Sequence, residues 1–301
     1  MPATVRAHES SPHLFTQGVP RERLPVIAAL CANLAATTAF SHEQCHDYMQ
    51  KQRQICLYAS EAQQERINVA FKMMGLRGVT VLGASGDGGP HWSFGPFPKR
   101  DPIGAALNKV GCNHMSPLFP ANSPYILAVG GITWKDNDPT QPSAWSVHEG
   151  CTGGGFSNEF AAPTFMADTV TGYLTDTATA PGMAPASQYN ATGRAYPDVS
   201  AFMDGVPLCF NGQCAKSICG GTSASTPTMA GILSLINDER LNKGLPSLGY
   251  VVPRLWQVAK DHPGEAFIDL SVAANTSCVS TPPPAHHTRH QHHPHHQHHQ
   301  L

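Results

Sequence analysis

A serine lies in a Gly- and Ser-rich stretch where a helix is predicted to begin. The stretch reads GGTSASTP from Gly220 to Pro227, and Ser223 lies within it. Glycines allow a tight turn and the close approach of another backbone, and a helix N-terminus favours negative charge that develops on a serine. The stretch therefore predicts a nucleophilic serine. The alternative is ordinary capping of the helix by Ser or Thr.

A carboxyl group occupies a second Gly-rich stretch, after a predicted strand. Residues 79–84, VTVLGA, have the apolar character of a short buried parallel strand, and SGDGG follows them. Sites in open α/β sheets gather at the carboxyl ends of strands, so Asp87 is a candidate site residue. The alternative is an Asx turn that stabilises the corner.

Helices and strands alternate around these residues. Residues 61–74 carry apolar side chains at helical spacing, and residues 125–131 and 198–202 form two further apolar, strand-like segments. A second helix follows Gly220, and four of its apolar side chains fall on one face: Met229, Ile232, Leu233 and Ile236. This order predicts an α/β fold with a mainly parallel sheet.

The composition excludes several classes of protein. The 301 residues include 19 Lys+Arg and 21 Asp+Glu, for a net charge of −2, so nucleic acid is not a predicted partner. With 27 Gly, 26 Pro and only 13% charged residues, the chain is neither a coiled coil nor an acidic disordered chain. No window reaches the roughly 20 apolar residues of a membrane span.

Eight sequence blocks follow one another in the chain: 78–88, 119–125, 129–131, 153–158, 193–199, 221–227, 231–237 and 267–270. Taken in order, they resemble the sedolisin family of serine-carboxyl peptidases within the subtilisin-like clan. The resemblance covers about residues 60–278. The family implies a subtilisin-like three-layer α/β fold and a serine-type peptidase of tripeptidyl-peptidase or endopeptidase type. It also implies a monomer that acts on peptides or proteins at acidic pH, in a lysosomal, vacuolar or extracellular setting.

The resemblance gives roles to the two candidate site residues. Ser223 matches the family's nucleophile, and Asp87 matches the carboxyl group that forms the oxyanion hole with a backbone N–H. A carboxylate would repel a forming oxyanion, whereas a protonated carboxyl group can donate a hydrogen bond to it. The implied chemistry therefore needs an acidic medium.

The family's general base is a Glu with an Asp one helical turn further on, and here the sequence departs from the pattern. The only upstream Glu-x-x-x-Asp match is Glu43 with Asp47, in unfamiliar surroundings. Glu61 and Glu65 have the same i,i+4 spacing but are interpreted as the solvated first turn of a helix. The alternative function is an inactive pseudopeptidase or truncated product that keeps the scaffold.

A zinc hydrolase is a third hypothesis. The run from His42 to His46 satisfies H-E-x-x-H, in which two His bind zinc and the Glu is a general base. Glu61 or Glu65 would supply a third ligand. The simpler interpretation is a polar loop.

A calcium site is implied only in its first half. The Asp269 carboxylate and the Leu270 carbonyl match the start of the family's Ca²⁺ site, and oxygen ligands suit this ion. The family completes the site with a later Gly-rich loop ending in Asp. Here the chain continues instead into Pro282–Pro284 and a His-rich end.

The predicted organisation has three parts: a poorly matched segment 1–50, a peptidase domain 51–280 and a disordered His/Pro/Gln-rich tail 281–301. The domain is expected to be truncated at both ends, without the family's catalytic helix or calcium loop, and no clear signal peptide is found. The tail's clustered imidazoles could alternatively bind a divalent metal ion.

Cysteines and sequons suggest a secretory setting. Nine cysteines leave at least one unpaired, with Cys112–Cys278 and Cys209–Cys214 as possible pairs and the connectivity open. Two N-x-S/T sequons begin at Asn190 and Asn275.

Overall fold

The structure is a computed structural model. It describes residues 61–90, 102–103, 115, 117–134, 138, 140–144, 146–147, 150–177, 184–210 and 213–270. Of the three predicted segments, the described residues belong only to the middle one, 51–280. The boundaries of the segments stay a prediction.

Four α-helices and ten strands occur in the described ranges. The helices are α1 (Glu61–Leu76), α2 (Ala167–Thr177), α3 (Thr222–Asn242) and α4 (Val252–Asp261), with short 3₁₀ turns at Thr164–Met166 and Ala186–Gln188. The strands are β1 (Leu82–Ala84), β2 (Leu127–Trp134), β3 (Pro142–Ala144), β4 (Ser146–Val147), β5 (Gly150–Cys151), β6 (Gly155–Ala161), β7 (Gly193–Tyr196), β8 (Val199–Phe202), β9 (Val206–Phe210) and β10 (Gln213–Cys219).

The central sheet is mainly parallel and is built around β2. Strand β2 pairs in parallel with β1, where Leu82 lies opposite Leu127, and with β8, where Val129 lies opposite Val199. Its last residues pair with β3 in the antiparallel direction. Three two-stranded antiparallel ladders, β4–β5, β6–β7 and β9–β10, accompany this sheet. The predicted α/β class with a mainly parallel sheet is confirmed.

Helix α3 packs against β1, β2 and β8, and the main apolar core lies there. Leu127 and Val129 of β2 contact Leu233 of α3 in this core, together with Val251 and Val252 at the start of α4. The first residues of β2 are buried completely. This burial fits the continuous apolar sequence expected of a central parallel strand.

A buried ion pair joins β7 to the turn before β8, and this turn is hydrogen-bonded to β2 of the sheet. The side chains of Arg194 and Asp198 are both 0% exposed, and their Nη2 and Oδ2 atoms are 2.6 Å apart. Asp198 also accepts hydrogen bonds from the Ala128 N–H at 2.8 Å and from Trp256 Nε1 at 3.0 Å. The Arg194 Nε donates to the Ser123 carbonyl at 3.1 Å. Each charged group is therefore paired and hydrogen-bonded, as burial requires.

Tyr250 lies beside this ion pair and is hydrogen-bonded to the loop before β2. Its hydroxyl donates to the Pro124 carbonyl at 2.6 Å. Burial raises the pKa of Tyr250 to about 12, because removal of water disfavours the phenolate. The ring is therefore a neutral hydrogen-bond donor at every physiological pH.

The predicted helix over residues 61–74 is confirmed, but its apolar side chains are not its most buried ones. Ile67 is 37% exposed, whereas Asn68 is 1% exposed and its Oδ1 accepts a hydrogen bond from Ser123 Oγ at 2.6 Å. The helix packs on the polar turn that precedes β2, so an amide side chain fits there better than an apolar one.

The apolar face predicted for α3 is also buried only in part. Leu233 is 4% exposed, but Ile232 and Ile236 are 46% and 44% exposed. The stripe that faces the sheet instead includes Thr222, Ser225 and Leu233. None of the described helices is both long and apolar enough to cross a membrane.

Candidate active site

The two residues singled out from the sequence meet where the turn after β1 reaches the start of α3. The Ser85 N–H donates to the Val129 carbonyl at 2.9 Å, which keeps the turn on the edge of β2. Asp87 is half-buried, and Ser223 is exposed in the first turn of α3. The site therefore lies at the carboxyl end of β1, where open α/β sheets place their chemistry.

Asp87 is fastened to Thr222, the residue that precedes Ser223. Its Oδ1 accepts the Thr222 N–H at 2.7 Å and the Thr222 Oγ1–H at 2.8 Å. The N-cap residue, Gly221, has no side chain to satisfy these first amides, so a carboxyl group 135 positions earlier in the chain caps the helix. A negative or hydrogen-bonding oxygen is favourable at this end of the helix.

Glycines allow the carboxyl group to lie against the helix start. Gly221 has a φ of +83°, and a Cβ at this position would lie 2.5 Å from Asp87 Oδ2. On the other side, the Gly153 N–H donates to the Gly86 carbonyl at 2.6 Å. A Cβ on Gly153 would overlap the Ser85 carbonyl. Both approaches need a residue without a side chain.

Ser223 carries a hydroxyl and a backbone N–H directly after the residue that binds this carboxyl group. Within the part of the chain that the structure describes, neither its hydroxyl nor its N–H has a hydrogen-bond partner. The Oδ2 of Asp87 likewise has none among the described residues. A hydroxyl, an amide N–H and a carboxyl oxygen are thus available together, which are the groups needed for a nucleophile and for stabilisation of an oxyanion.

These bonds bear on the two simpler interpretations of the motifs. The N-cap residue of α3 is Gly221, and the Ser223 hydroxyl makes no capping bond to the described residues; its role as the nucleophile stays a prediction. The described hydrogen bonds of Asp87 go to Thr222 of α3, and its role in an oxyanion hole stays a prediction. Sequence reasoning gave Thr222 no role, although its place directly before Ser223 at a helix start was the available signal.

Of the other candidate acids and zinc ligands, only Glu61 and Glu65 lie within the described residues. Glu43, Asp47, His42 and His46 lie outside the described residues. Glu61 and Glu65 belong to the first turns of α1, as predicted, and Glu65 is exposed.

The predicted calcium ligands lie at the end of the described ranges. Asp269 is exposed and Leu270 is half-buried. No group of three or more His, Cys, Asp or Glu side chains that could hold a metal ion occurs among the described residues.

One predicted disulfide is partly supported. Cys209 is disulfide-bonded, and Cys214 lies directly opposite it in the β9–β10 ladder. The pairing of these two residues stays a prediction, as does that of Cys112 with Cys278, which lie outside the described residues.

Three relatives decide the family. Tripeptidyl-peptidase 1 of Bos taurus is 38% identical over 217 residues, which are 72% of this chain and 34% of that protein. The Canis lupus familiaris protein is 38% identical over 223 residues, 73% of this chain and 35% of the relative. The Homo sapiens protein is 37% identical over 221 residues, 73% of this chain and 35% of the relative. The chain belongs to the sedolisin family of serine-carboxyl peptidases.

The resemblance predicted from the sequence blocks is thereby confirmed, although no protein-family model matches the chain. The chain spans about a third of the length of these curated relatives. A solved structure of Pseudomonas sedolisin (serine-carboxyl proteinase), complexed with two molecules of pseudo-iodotyrostatin, is 20% identical with a TM-score of 0.46. The match covers 67% of this chain and 49% of the sedolisin chain.

Proposed function

We propose that this chain hydrolyses peptide bonds at acidic pH as a serine-carboxyl peptidase, with tripeptidyl-peptidase or endopeptidase action on peptide or protein substrates. One observation carries the proposal. The Asp87 carboxyl group is held by Thr222, the residue next to Ser223, so the nucleophile and the acid lie together at one helix start. The family relationship supports the same assignment.

In the proposed reaction, Ser223 Oγ attacks the peptide carbonyl carbon and its proton passes to a general base. The carbonyl oxygen becomes negative and accepts hydrogen bonds from the Ser223 N–H and from a protonated Asp87 Oδ2. The carbon–nitrogen bond then breaks, the amine leaves with a proton returned by the base, and water hydrolyses the acyl-serine. Glu43 with Asp47 is the candidate base, and both lie outside the described residues.

The acidic pH follows from the role given to Asp87. Only the protonated carboxyl group donates to the oxyanion, whereas the carboxylate repels it. An acidic compartment, lysosomal, vacuolar or extracellular, is the setting that suits this chemistry.

A second candidate is a pseudopeptidase that binds peptides without cleaving them. The observation that favours it comes from the sequence: the only upstream Glu-x-x-x-Asp match, Glu43 with Asp47, lies in surroundings that depart from the family's pattern. Loss of the base from such a catalytic unit lowers the rate by about 10⁴-fold or more. The zinc hydrolase suggested by His42 and His46 stays a hypothesis, because both residues lie outside the described residues.

Calcium is not needed for any step proposed above. Asp269 and the Leu270 carbonyl would supply at most two of the roughly six to eight oxygen ligands that Ca²⁺ takes, and no acidic cluster surrounds them among the described residues. The described residues alone therefore do not fit the ion.

The test is hydrolysis of a fluorogenic tripeptide substrate by the purified chain from about pH 3 to about pH 8. Ser223→Ala is compared with Ser234→Ala, which removes an exposed hydroxyl from the same helix. We expect acidic activity that the first substitution abolishes and the second leaves unchanged. A folded wild-type chain no more active than Ser223→Ala would reject the peptidase in favour of the pseudopeptidase.

A further inference from the structure

Thr222 joins the two turns of the candidate active site. Its side chain is buried, with 1% of the residue exposed. The Gly86 N–H donates to its Oγ1 at 3.2 Å, and Oγ1 lies 2.8 Å from Asp87 Oδ1. One hydroxyl group thus bridges the turn after β1 and the start of α3.

The direction of the hydroxyl proton follows from these contacts. An amide N–H can only donate, so Oγ1 is the acceptor of the bond from Gly86. A threonine hydroxyl has one proton, and Asp87 Oδ1 is the acceptor within reach of it. The hydroxyl group is therefore a donor to Asp87.

The two donors of Thr222 converge on one carboxyl oxygen. Oδ1 of Asp87 accepts the backbone N–H at 2.7 Å and the hydroxyl at 2.8 Å. A carbonyl-type oxygen has two lone pairs for such bonds, whereas a protonated carboxyl oxygen lacks the capacity for both. A proton on Oδ1 would cost one of the bonds, and the buried hydroxyl would lose its acceptor. A protonated Asp87 consequently holds its proton on Oδ2, the oxygen beside Gly221.

We propose that Thr222 is a positioning residue that assigns the Asp87 proton to Oδ2 and so directs the acid as a hydrogen-bond donor toward the oxyanion formed at Ser223. This inference rests on the proposed function. A neutral carboxyl group free to rotate would present an acceptor to the oxyanion as often as a donor, so fixing the proton matters for the rate of the chemical step.

The kinetic test compares three substitutions on α3. Thr222→Val keeps the shape and removes the hydroxyl, Thr222→Ser keeps the hydroxyl, and Thr228→Val removes an exposed hydroxyl that bonds the Ala224 carbonyl. All are assayed where circular dichroism shows the chains to be folded. We expect Thr222→Val to lower kcat about 10- to 100-fold with KM changed less than about twofold. The kcat of Thr222→Ser should stay within about threefold of the wild-type value, and the kcat of Thr228→Val should equal the wild-type value.

Equal kcat values for Thr222→Val and wild type would overturn the inference. So would a Thr222→Ser variant as slow as Thr222→Val, because the hydroxyl would then not be the group that matters.

A second measurement does not depend on activity. The urea midpoint of unfolding is compared for wild type, Thr222→Val, Asp87→Ala and the double variant. We expect Thr222→Val to lower the midpoint clearly in wild type and much less once Asp87 is absent, because the two side chains share a bond. Additive shifts would overturn the inference whatever the activity. Coupled shifts in a chain without Ser223-dependent activity would support the contact and reject the proposed function.

Discussion

The absence of a side chain at position 221 allows both its backbone conformation and the close approach of Asp87. Gly221 has a φ of +83° and lies against Asp87, whose Oδ1 caps the helix that begins at Thr222. A methyl group at this position would meet Oδ2, which is the oxygen that the proposed chemistry uses. The sequence GGTS therefore reflects two constraints at the residue scale: a backbone conformation that L residues rarely adopt and space for a carboxyl group.

Two single glycine-to-alanine variants should distinguish these constraints from the ordinary gain in helix propensity that alanine brings. Gly221→Ala is expected to lower the free energy of unfolding by at least about 1–2 kcal/mol, from the positive φ alone. Gly231→Ala, in α3 with nothing within 4 Å of its Cβ, should raise it by about 0.5–1 kcal/mol. Urea denaturation of both variants measures the difference. A Gly221→Ala chain as stable as wild type would contradict both the positive φ and the close contact with Asp87.

Residue types and their spacing were sufficient to select Ser223 and Asp87, and the structure brings both to one helix start. Their catalytic roles stay predictions. The part played by Thr222 could not be read from the sequence, because it depends on a bond between residues 135 positions apart. Local patterns report which residues share a helix or a turn, but they do not report which distant turn folds onto it.

At the scale of elements, the apolar periodicity of α1 and α3 predicted helices but not the faces they bury. Asn68 is buried on α1 because its partner is Ser123, and Ile232 and Ile236 of α3 remain well exposed. Periodicity identifies which residues share a face. The neighbouring elements decide which face is covered, and the polar turn before β2 gave no local signal of its partner.

Removal of one partner from the buried ion pair of Arg194 in β7 and Asp198 in the turn before β8 should cost far more stability than the same change in a surface pair of equal spacing. Arg194 and Asp198 are fully buried, whereas Lys243 and Glu239 are 65% and 66% exposed. Asp198→Ala leaves a buried guanidinium unpaired and should cost about 3–5 kcal/mol in the free energy of unfolding.

Glu239→Ala, the matched control, should cost about 0.5 kcal/mol or less. Both values come from urea unfolding followed by circular dichroism. A loss below about 1 kcal/mol for Asp198→Ala would contradict the assigned pairing.

At the scale of the whole molecule, histidine is the residue type that most changes the net charge between neutral and acidic pH. The chain has 17 His against a net charge of −2 with neutral His, and nine of them lie between His286 and His299. Protonation of every imidazole would move the net charge toward +15. The chain therefore becomes strongly cationic in the acidic medium that the proposed peptidase chemistry requires.

Electrophoretic mobility should report this change. Between about pH 7.5 and about pH 5 we expect the mobility of the full chain to reverse sign, because imidazoles titrate in this range. A chain ending at residue 280 should show roughly half of the change, since it lacks nine of the 17 His. Equal changes for the two chains would mean that the clustered imidazoles do not take up protons in this range.

The bond between Asp87 and Thr222 also sets an order of events during synthesis. Asp87 leaves the ribosome 135 residues before the helix start that it caps, so the nascent chain holds the carboxyl group without its partner while those residues are added. Contacts this distant in sequence form late, after the entropy of closing a long loop has been overcome. A messenger RNA cut short before codon 222 would yield a chain with the acid turn but no serine helix to complete it.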